Sequence, residues 1–170
     1  MFDISKIRTV DDFPKKGIKF YDITTVLNDT ESFQKLFKEM LEKARKLKPD
    51  VIVALEARGY IFAPALALAL NIPFVPLRKK GKLPYKTFSE QYNLEYGCET
   101  IEVHQDAMKP NQHILICDDI LATGGTAEAA AKLMQHFNPK SIVFLFLMEL
   151  SFLKGRDRIV DFIVESLIIV

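Results

Sequence analysis

Three runs of nearly unbroken apolar residues constrain this chain more than any other feature. They are Val51-Ile52-Val53-Ala54-Leu55, His113-Ile114-Leu115-Ile116-Cys117 and the stretch 141–148. A strand with one wet face alternates apolar and polar residues, so these runs predict strands buried on both faces, as in a parallel sheet. Helical patterns lie between and before them. Phe33, Leu36, Phe37, Met40, Leu41, Ala44 and Leu47 recur at three- and four-residue spacing, the stripe of an amphipathic helix. Asn28, Asp29 and Thr30 are its N-cap candidates, and Pro49 marks its end. Residues 60–70 and 126–137 read as further helices and 74–77 as another strand. Strands and helices in alternation predict βαβ units with right-handed crossovers. The expected fold class is therefore α/β, a mostly parallel central sheet with helices on both faces, in a single domain over residues 1–170.

Several classes are excluded early. A chain of 170 residues buries enough surface to need no disulfide or metal staple. Lys plus Arg is 23 and Asp plus Glu is 22, a net charge of +1, which argues against a bulk nucleic-acid binder. The two cysteines, Cys98 and Cys117, form neither a C-x-x-C motif nor a zinc spacing. Residues 1–10 lack the apolar run of a signal peptide. The longest apolar stretch, 60–77, is broken by Pro64, Asn71, Pro73 and Pro76, unlike a membrane helix. A soluble, cytoplasmic protein without nucleic-acid or membrane partners is the expectation. His104, His113 and His136 are isolated from one another and read as surface or packing residues.

Ligands of parallel α/β sheets lie beyond the carboxyl ends of the strands. One such end reads Asp118-Asp119-Ile120-Leu121-Ala122-Thr123-Gly124-Gly125-Thr126, after a buried strand and before a helix. Gly124 and Gly125 lack a Cβ, so their amides can turn inward around an anion. The hydroxyls of Thr123 and Thr126 add donors, and the helix start adds partial positive charge. Asp118 and Asp119 would repel a phosphate, so they suit sugar hydroxyls or a hydrated magnesium ion instead. Cradle and acid pair together imply a ligand with both a ribose and a phosphate. A lone Thr-Gly-Gly-Thr is as well explained by ordinary helix capping; the buried strand and the acids are what set this one apart. It is neither a P-loop nor the G-x-G-x-x-G fingerprint.

With these residues the chain resembles the type I phosphoribosyltransferases. Further blocks match the adenine-using branch of that family. They are Phe13-Pro14 with Gly17-Ile18, Phe20 and Asp22-Ile23-Thr24; Glu56-Ala57-Arg58-Gly59-Tyr60; Arg78-Lys79-Lys80-Gly81-Lys82-Leu83-Pro84; Leu94-Glu95-Tyr96-Gly97; and Glu149-Leu150 with Leu153-Lys154-Gly155-Arg156. The chain departs from the family pattern at Tyr21, where Arg is frequent, and at Tyr85, where Gly is frequent.

The resemblance implies purine salvage, in which adenine and 5-phosphoribosyl 1-pyrophosphate give AMP and pyrophosphate. It assigns Ala122, Thr123, Gly124, Gly125 and Thr126 to the 5′-phosphate, and Asp118 and Asp119 to the ribose. Ala57, Arg58 and Gly59, with Arg78 and Lys82, go to the pyrophosphate, Arg58 being also a catalytic candidate. Lys19, Phe20 and Tyr21 go to adenine, largely through backbone groups. Glu95 becomes the catalytic proton partner of the base. Magnesium is the implied cofactor, held mainly by substrate oxygens and water with no direct protein ligand, and a homodimer is implied. So is an unusual backbone within 56–59, a cis peptide being one form of it.

The residue types suit that chemistry. Loss of pyrophosphate builds oxocarbenium character at the sugar, as in glycoside cleavage. A guanidinium such as that of Arg58 can grip phosphate oxygens in two-pronged fashion. Residues 78–104 show little regular pattern and read as a long loop, flexible over about 79–104. Lys79, Lys80, Lys82 and Lys86 give it charge, and Phe88, Tyr92 and Tyr96 give it packing surface. It is a lid candidate that would shield the sugar from water, with a solvated β-hairpin as the alternative. Two rivals to adenine transfer remain at this stage. One is transfer to hypoxanthine, guanine or xanthine; the other is a non-catalytic regulator that senses 5-phosphoribosyl 1-pyrophosphate.

Overall fold

The computed structural model describes residues 2–13, 15–93 and 97–170. The chain divides into two compact units, residues 1–42 and 43–170. In the first, β1 (Arg8–Asp11) and β2 (Lys19–Asp22) pair as an antiparallel hairpin. A short helix α1 (Thr24–Leu27) follows, then the start of α2 (Thr30–Leu47). The Asp29 carboxylate accepts from the Ser32 amide at 3.3 Å and also from the Ser32 hydroxyl, so Asp29 is the cap among the candidates. Leu36, Met40 and Ala44 are fully buried at four-residue spacing, the stripe that the sequence predicts.

The second unit carries β3 (Val51–Leu55), α3 (Ala63–Leu70), β4 (Phe74–Lys79), β5 (Thr87–Asn93), β6 (Cys98–His104), β7 (His113–Leu121), α4 (Gly125–Gln135), β8 (Ser141–Glu149) and β9 (Ile163–Ile169). Its sheet has the order β5-β6-β4-β3-β7-β8-β9. The pairs β3–β4, β3–β7, β7–β8 and β8–β9 are parallel, while β4–β6 and β5–β6 are antiparallel. The three apolar runs thus lie side by side at the centre, as double burial requires. Val51, Val53 and Leu55 point into the cluster that holds Ala127, Ala130 and Leu133 of α4. Ile52 and Ala54 alternate to the opposite face, where α3 packs on β3. Along β8, Phe144 and Phe146 stack at 5.7 Å, and Phe162 meets Phe144 edge-on.

Three elements differ from the sequence expectation. The predicted strand 113–117 runs on to Leu121, because β8 keeps pairing with it as far as Leu121↔Glu149. Asp118 and Asp119 are therefore strand residues and not the loop that follows. The predicted helix 60–70 breaks into a 3-10 turn at Arg58–Ile61 and α3, with Pro64 in the first turn of α3, where its missing N–H costs nothing. Residues 78–104 contain an antiparallel hairpin, β5–β6, whose register runs from Thr87↔His104 to Asn93↔Cys98. The alternation of Phe88 and Tyr92 with Ser89 and Gln91 was the local signal for it. Phe88 then packs against Phe137 and stacks on His136 at 4.4 Å, so His136 is a packing residue. The sequence reading assigned no element to 163–169, where β9 closes the sheet edge.

Truncating the Phe144 side chain, which is 0% exposed, tests this core. Phe144→Ala should cost about 3–5 kcal/mol of stability in urea unfolding. A loss below about 1 kcal/mol would contradict the packing described.

Candidate active site

The neighbours β3 and β7 run in parallel, with Ala54 opposite Cys117, so their carboxyl ends open side by side. Beyond β3 the chain turns sharply: the Glu56–Ala57 peptide is cis, and the Arg58–Ile61 turn follows. Beyond β7 the loop 122–124 leads into α4. The two turns bound a cavity of about 200 Å³ lined by Arg58, Asp118, Asp119, Ala122, Thr123, Gly124 and Thr126, with Phe146 behind them. The structure thus brings together the acid pair, the cradle and one of the pyrophosphate candidates.

The glycines have separate reasons to be there. Gly124 has φ +80°, left-handed, and stands at the N-cap of α4 with no side chain capping the helix. Gly125 is buried as the first residue of α4. At Gly59 a Cβ would lie 2.9 Å from the Cys117 carbonyl oxygen and 3.1 Å from Asp118 Oδ1. Its absence lets the 56–59 turn press against β7 beside the acids.

The carboxylates sit at the cavity wall, Asp119 buried and Asp118 half-buried. Asp118 Oδ1 accepts from the Asp119 amide at 2.9 Å. Burial, and then the neighbouring charge of Asp119, push the Asp118 carboxyl well above the usual carboxylate range. Burial also raises Asp119, while Arg58 pulls it back. Arg58 Nε lies 2.6 Å from Asp119 Oδ2, with the arginine side chain 50% exposed and the aspartate 5%. Even so, that buried oxygen has no partner in hydrogen-bond alignment. Beneath the pair, burial pushes the Cys117 thiol far up, as expected of an inert core residue.

Arg78 and Lys82 gather at the end of β4, next to β3. Arg78 Nε donates to Glu56 Oε2 at 2.9 Å, and Nη1 donates to the Lys82 carbonyl at 3.2 Å. Glu56 also accepts from the Lys79 amide. Burial raises the Glu56 carboxyl, but the Arg78 bond and this amide outweigh it and leave it below its ordinary value. Sequence reasoning quoted Glu56 in a motif and gave it no task; its partners lie more than twenty positions away and only the sheet reveals them. Tyr92 was likewise missed as a contact of the cradle. From β5 its hydroxyl bonds Glu99 at 3.1 Å and interacts with the Thr126 hydroxyl.

Lys19, Phe20 and Tyr21 are consecutive residues of β2 in the first unit, where Tyr21 pairs with Thr9. Asp22 holds that strand in place, accepting from Arg8 Nε at 3.0 Å, the Thr24 amide at 3.0 Å and the Thr24 hydroxyl at 2.7 Å. Arg8 above all keeps its carboxyl low, at about 2. Phe13 and Phe20 meet edge to face at 5.1 Å. Tyr85 is 60% exposed, its ring edge toward His104. Glu95 lies outside the described residues.

Known proteins carry the same architecture. The family model of the phosphoribosyl transferase domain matches residues 24–169. The adenine phosphoribosyltransferase of Desulfitobacterium hafniense is 51% identical over 162 residues, which cover 95% of this chain and 94% of that protein. The crystal structure of the adenine phosphoribosyltransferase from Thermoanaerobacter pseudethanolicus superposes with a TM-score of 0.91 at 46% identity, covering 98% of this chain and 96% of the other. The Saccharomyces cerevisiae adenine phosphoribosyltransferase, complexed with an imino-altritol bisphosphate and adenine, gives a TM-score of 0.87 at 40% identity, covering 96% and 94%.

The raised carboxyls make a stability prediction. An acid whose folded pKa lies above its unfolded value costs stability when ionised, and the cost fades as pH falls through the folded value. Asp118→Asn keeps the acceptor for the Asp119 amide and removes the buried charge. It should melt above wild type at pH 8, by about 2–4 °C per kcal/mol relieved, with the gap narrowing toward pH 5. Equal melting at pH 8 would show that the carboxyl is not penalised by burial.

Proposed function

The chain belongs to the phosphoribosyltransferase family, and from that premise we propose how its site works: it transfers the 5-phosphoribosyl group of 5-phosphoribosyl 1-pyrophosphate to adenine, giving AMP and pyrophosphate. The observation that carries this reading is the single cavity holding Arg58, the Asp118–Asp119 pair and the Gly124 turn. A phosphorylated pentose needs an anion cradle and hydroxyl acceptors within one cavity.

In this reading the amides of 122–126 and the hydroxyls of Thr123 and Thr126 hold the 5′-phosphate, reinforced by the amino end of α4. Asp119, whose buried Oδ2 is paired with Arg58 out of hydrogen-bond alignment, accepts from a ribose hydroxyl, and Asp118 takes the neighbouring one. Arg58, with the Ala57 and Gly59 backbone, grips the pyrophosphate as the bond from C1 to its oxygen breaks. The bonding electrons leave with the pyrophosphate, and N9 of adenine forms the new bond to C1. Arg78 and Lys82, held together beside Glu56, add positive charge for the departing group. Lys19, Phe20 and Tyr21 line the base pocket through backbone groups, so that Tyr21 can stand where the family often has Arg. Glu95, as a carboxylic acid hydrogen-bonded at N7, stabilises the transferring base, and the N9 proton passes to the departing pyrophosphate as the new bond forms; such acid–base help is worth about 10²–10⁴-fold.

Magnesium fits the acid pair. Among the described residues no three His, Cys, Asp or Glu side chains gather as a ligand set, so Asp118 and Asp119 would hold the ion through water and substrate oxygens. When bound, it neutralises the pyrophosphate charge. The reading further takes residues 1–170 as one catalytic module that works as a homodimer in the cytoplasm. Among the described residues, no helix is long and apolar enough to cross a membrane.

Pyrophosphate release, assayed with each purine and with and without magnesium, tests the reading. Adenine should be the fastest base and magnesium should be required; faster turnover of guanine or hypoxanthine would defeat it. Glu95→Gln should lower kcat by about 10²-fold or more while changing the KM for adenine far less. Turnover near wild type would remove Glu95 from the mechanism.

A further inference from the structure

We propose that Gly155 is a positioning residue for the phosphate cradle: its bare backbone forms the template against which Ala122 and Gly124 set their amides. This rests on the reading of residues 122–126 as the 5′-phosphate site. A Cβ built on Gly124 would run into the carbonyl carbon, oxygen and Cα of Gly155. A Cβ built on Gly155 would run into the Ala122 carbonyl and lie 3.1 Å from the Gly124 nitrogen. The two glycines therefore face each other with no side chain between, and Gly155 is buried. Backbone against backbone leaves no flexible group to yield, so any bulk there shifts the cradle itself.

The template is itself held rigidly. Five residues before it, the Leu150 amide donates to the Leu121 carbonyl at 2.9 Å, extending the β7–β8 pairing to the start of the cradle. Immediately after it, Arg156 donates from Nε and Nη2 to the two oxygens of Glu149 at 2.6 and 2.7 Å, and from Nη1 to the Val164 carbonyl at 3.0 Å. Ser166 donates to the same carboxylate at 2.7 Å. The Arg156 bond outweighs burial and holds the Glu149 carboxyl below its ordinary value, so this pair stays charged and closed. Arg158 then reaches Glu128 in the first turn of α4 at 3.5 Å. Residues 149–158 thus bracket the cradle from the end of β7 to the start of α4.

A shifted cradle weakens recognition of phosphate and leaves recognition of the base alone. Gly155→Ala should raise the KM for 5-phosphoribosyl 1-pyrophosphate, and weaken AMP binding measured by calorimetry, by about tenfold or more. The KM for adenine should stay within about twofold, because the base is held elsewhere. Arg156→Lys, which cannot make the two-pronged bond to Glu149, should shift the same two quantities in the same direction by a smaller factor. General destabilisation would instead lower kcat through the active fraction and leave the KM values in place. Unchanged phosphate-dependent quantities in a folded Gly155→Ala overturn the proposal. Should that variant not fold, Arg156→Lys decides, and unchanged values there overturn it equally. A wild type that neither releases pyrophosphate with adenine nor binds AMP overturns the functional reading and this proposal with it.

Discussion

Two adjacent carboxylates at the end of an apolar strand set the terms for the whole site. Burial raises both, and the relief is partial: Asp118 accepts from the Asp119 amide, while Arg58, the Asp118 side chain and the Ile120 amide pull Asp119 back. Such an arrangement costs stability in the free protein, and a chain keeps it only where a ligand returns the cost. In the proposed reading, sugar hydroxyls do so by donating to these carboxylates. The strained place is therefore the functional place.

The surroundings exist to hold that pair still. Double-sided burial of β3, β7 and β8 makes their carboxyl ends rigid platforms. Close approach does the rest, and at each point it depends on a missing Cβ. Gly59 lets the 56–59 turn meet β7, and Gly124 and Gly155 let the cradle meet its bracket. Charged pairs then lock the outer parts, Glu56 with Arg78 and Glu149 with Arg156. The first joins segments that sheet pairing has already made adjacent and the second residues only seven apart in sequence, so little chain entropy is spent on forming either.

Much of this was legible in the residues. Val51–Leu55, the run beginning at His113 and the run beginning at Ser141 announced central parallel strands, and the structure places them so. The turn into α4 was legible because its glycines and hydroxyls are consecutive, and the structure places Gly124 at the N-cap of that helix with φ +80°. The β5–β6 hairpin was legible only as the alternative to a long loop, because its alternation is short and interrupted by charged residues on both faces. The extension of β7 through the acids was not legible, since Asp disfavours strands locally and only pairing with β8 overrides that preference. Gly155 was quoted in a matching block without a task, because nothing near it in sequence refers to residues 122–124.

The sequence by itself determined the layered α/β architecture and the glycine turn with acids beside it, because burial pattern and backbone freedom are properties of consecutive residues. Only the tertiary structure decided which groups face one another: Arg58 against Asp119, Glu56 against Arg78, Gly155 against Gly124. The physical reason is that these contacts join residues separated by roughly twenty to sixty positions, and sheet order and register, rather than local preference, set such distances.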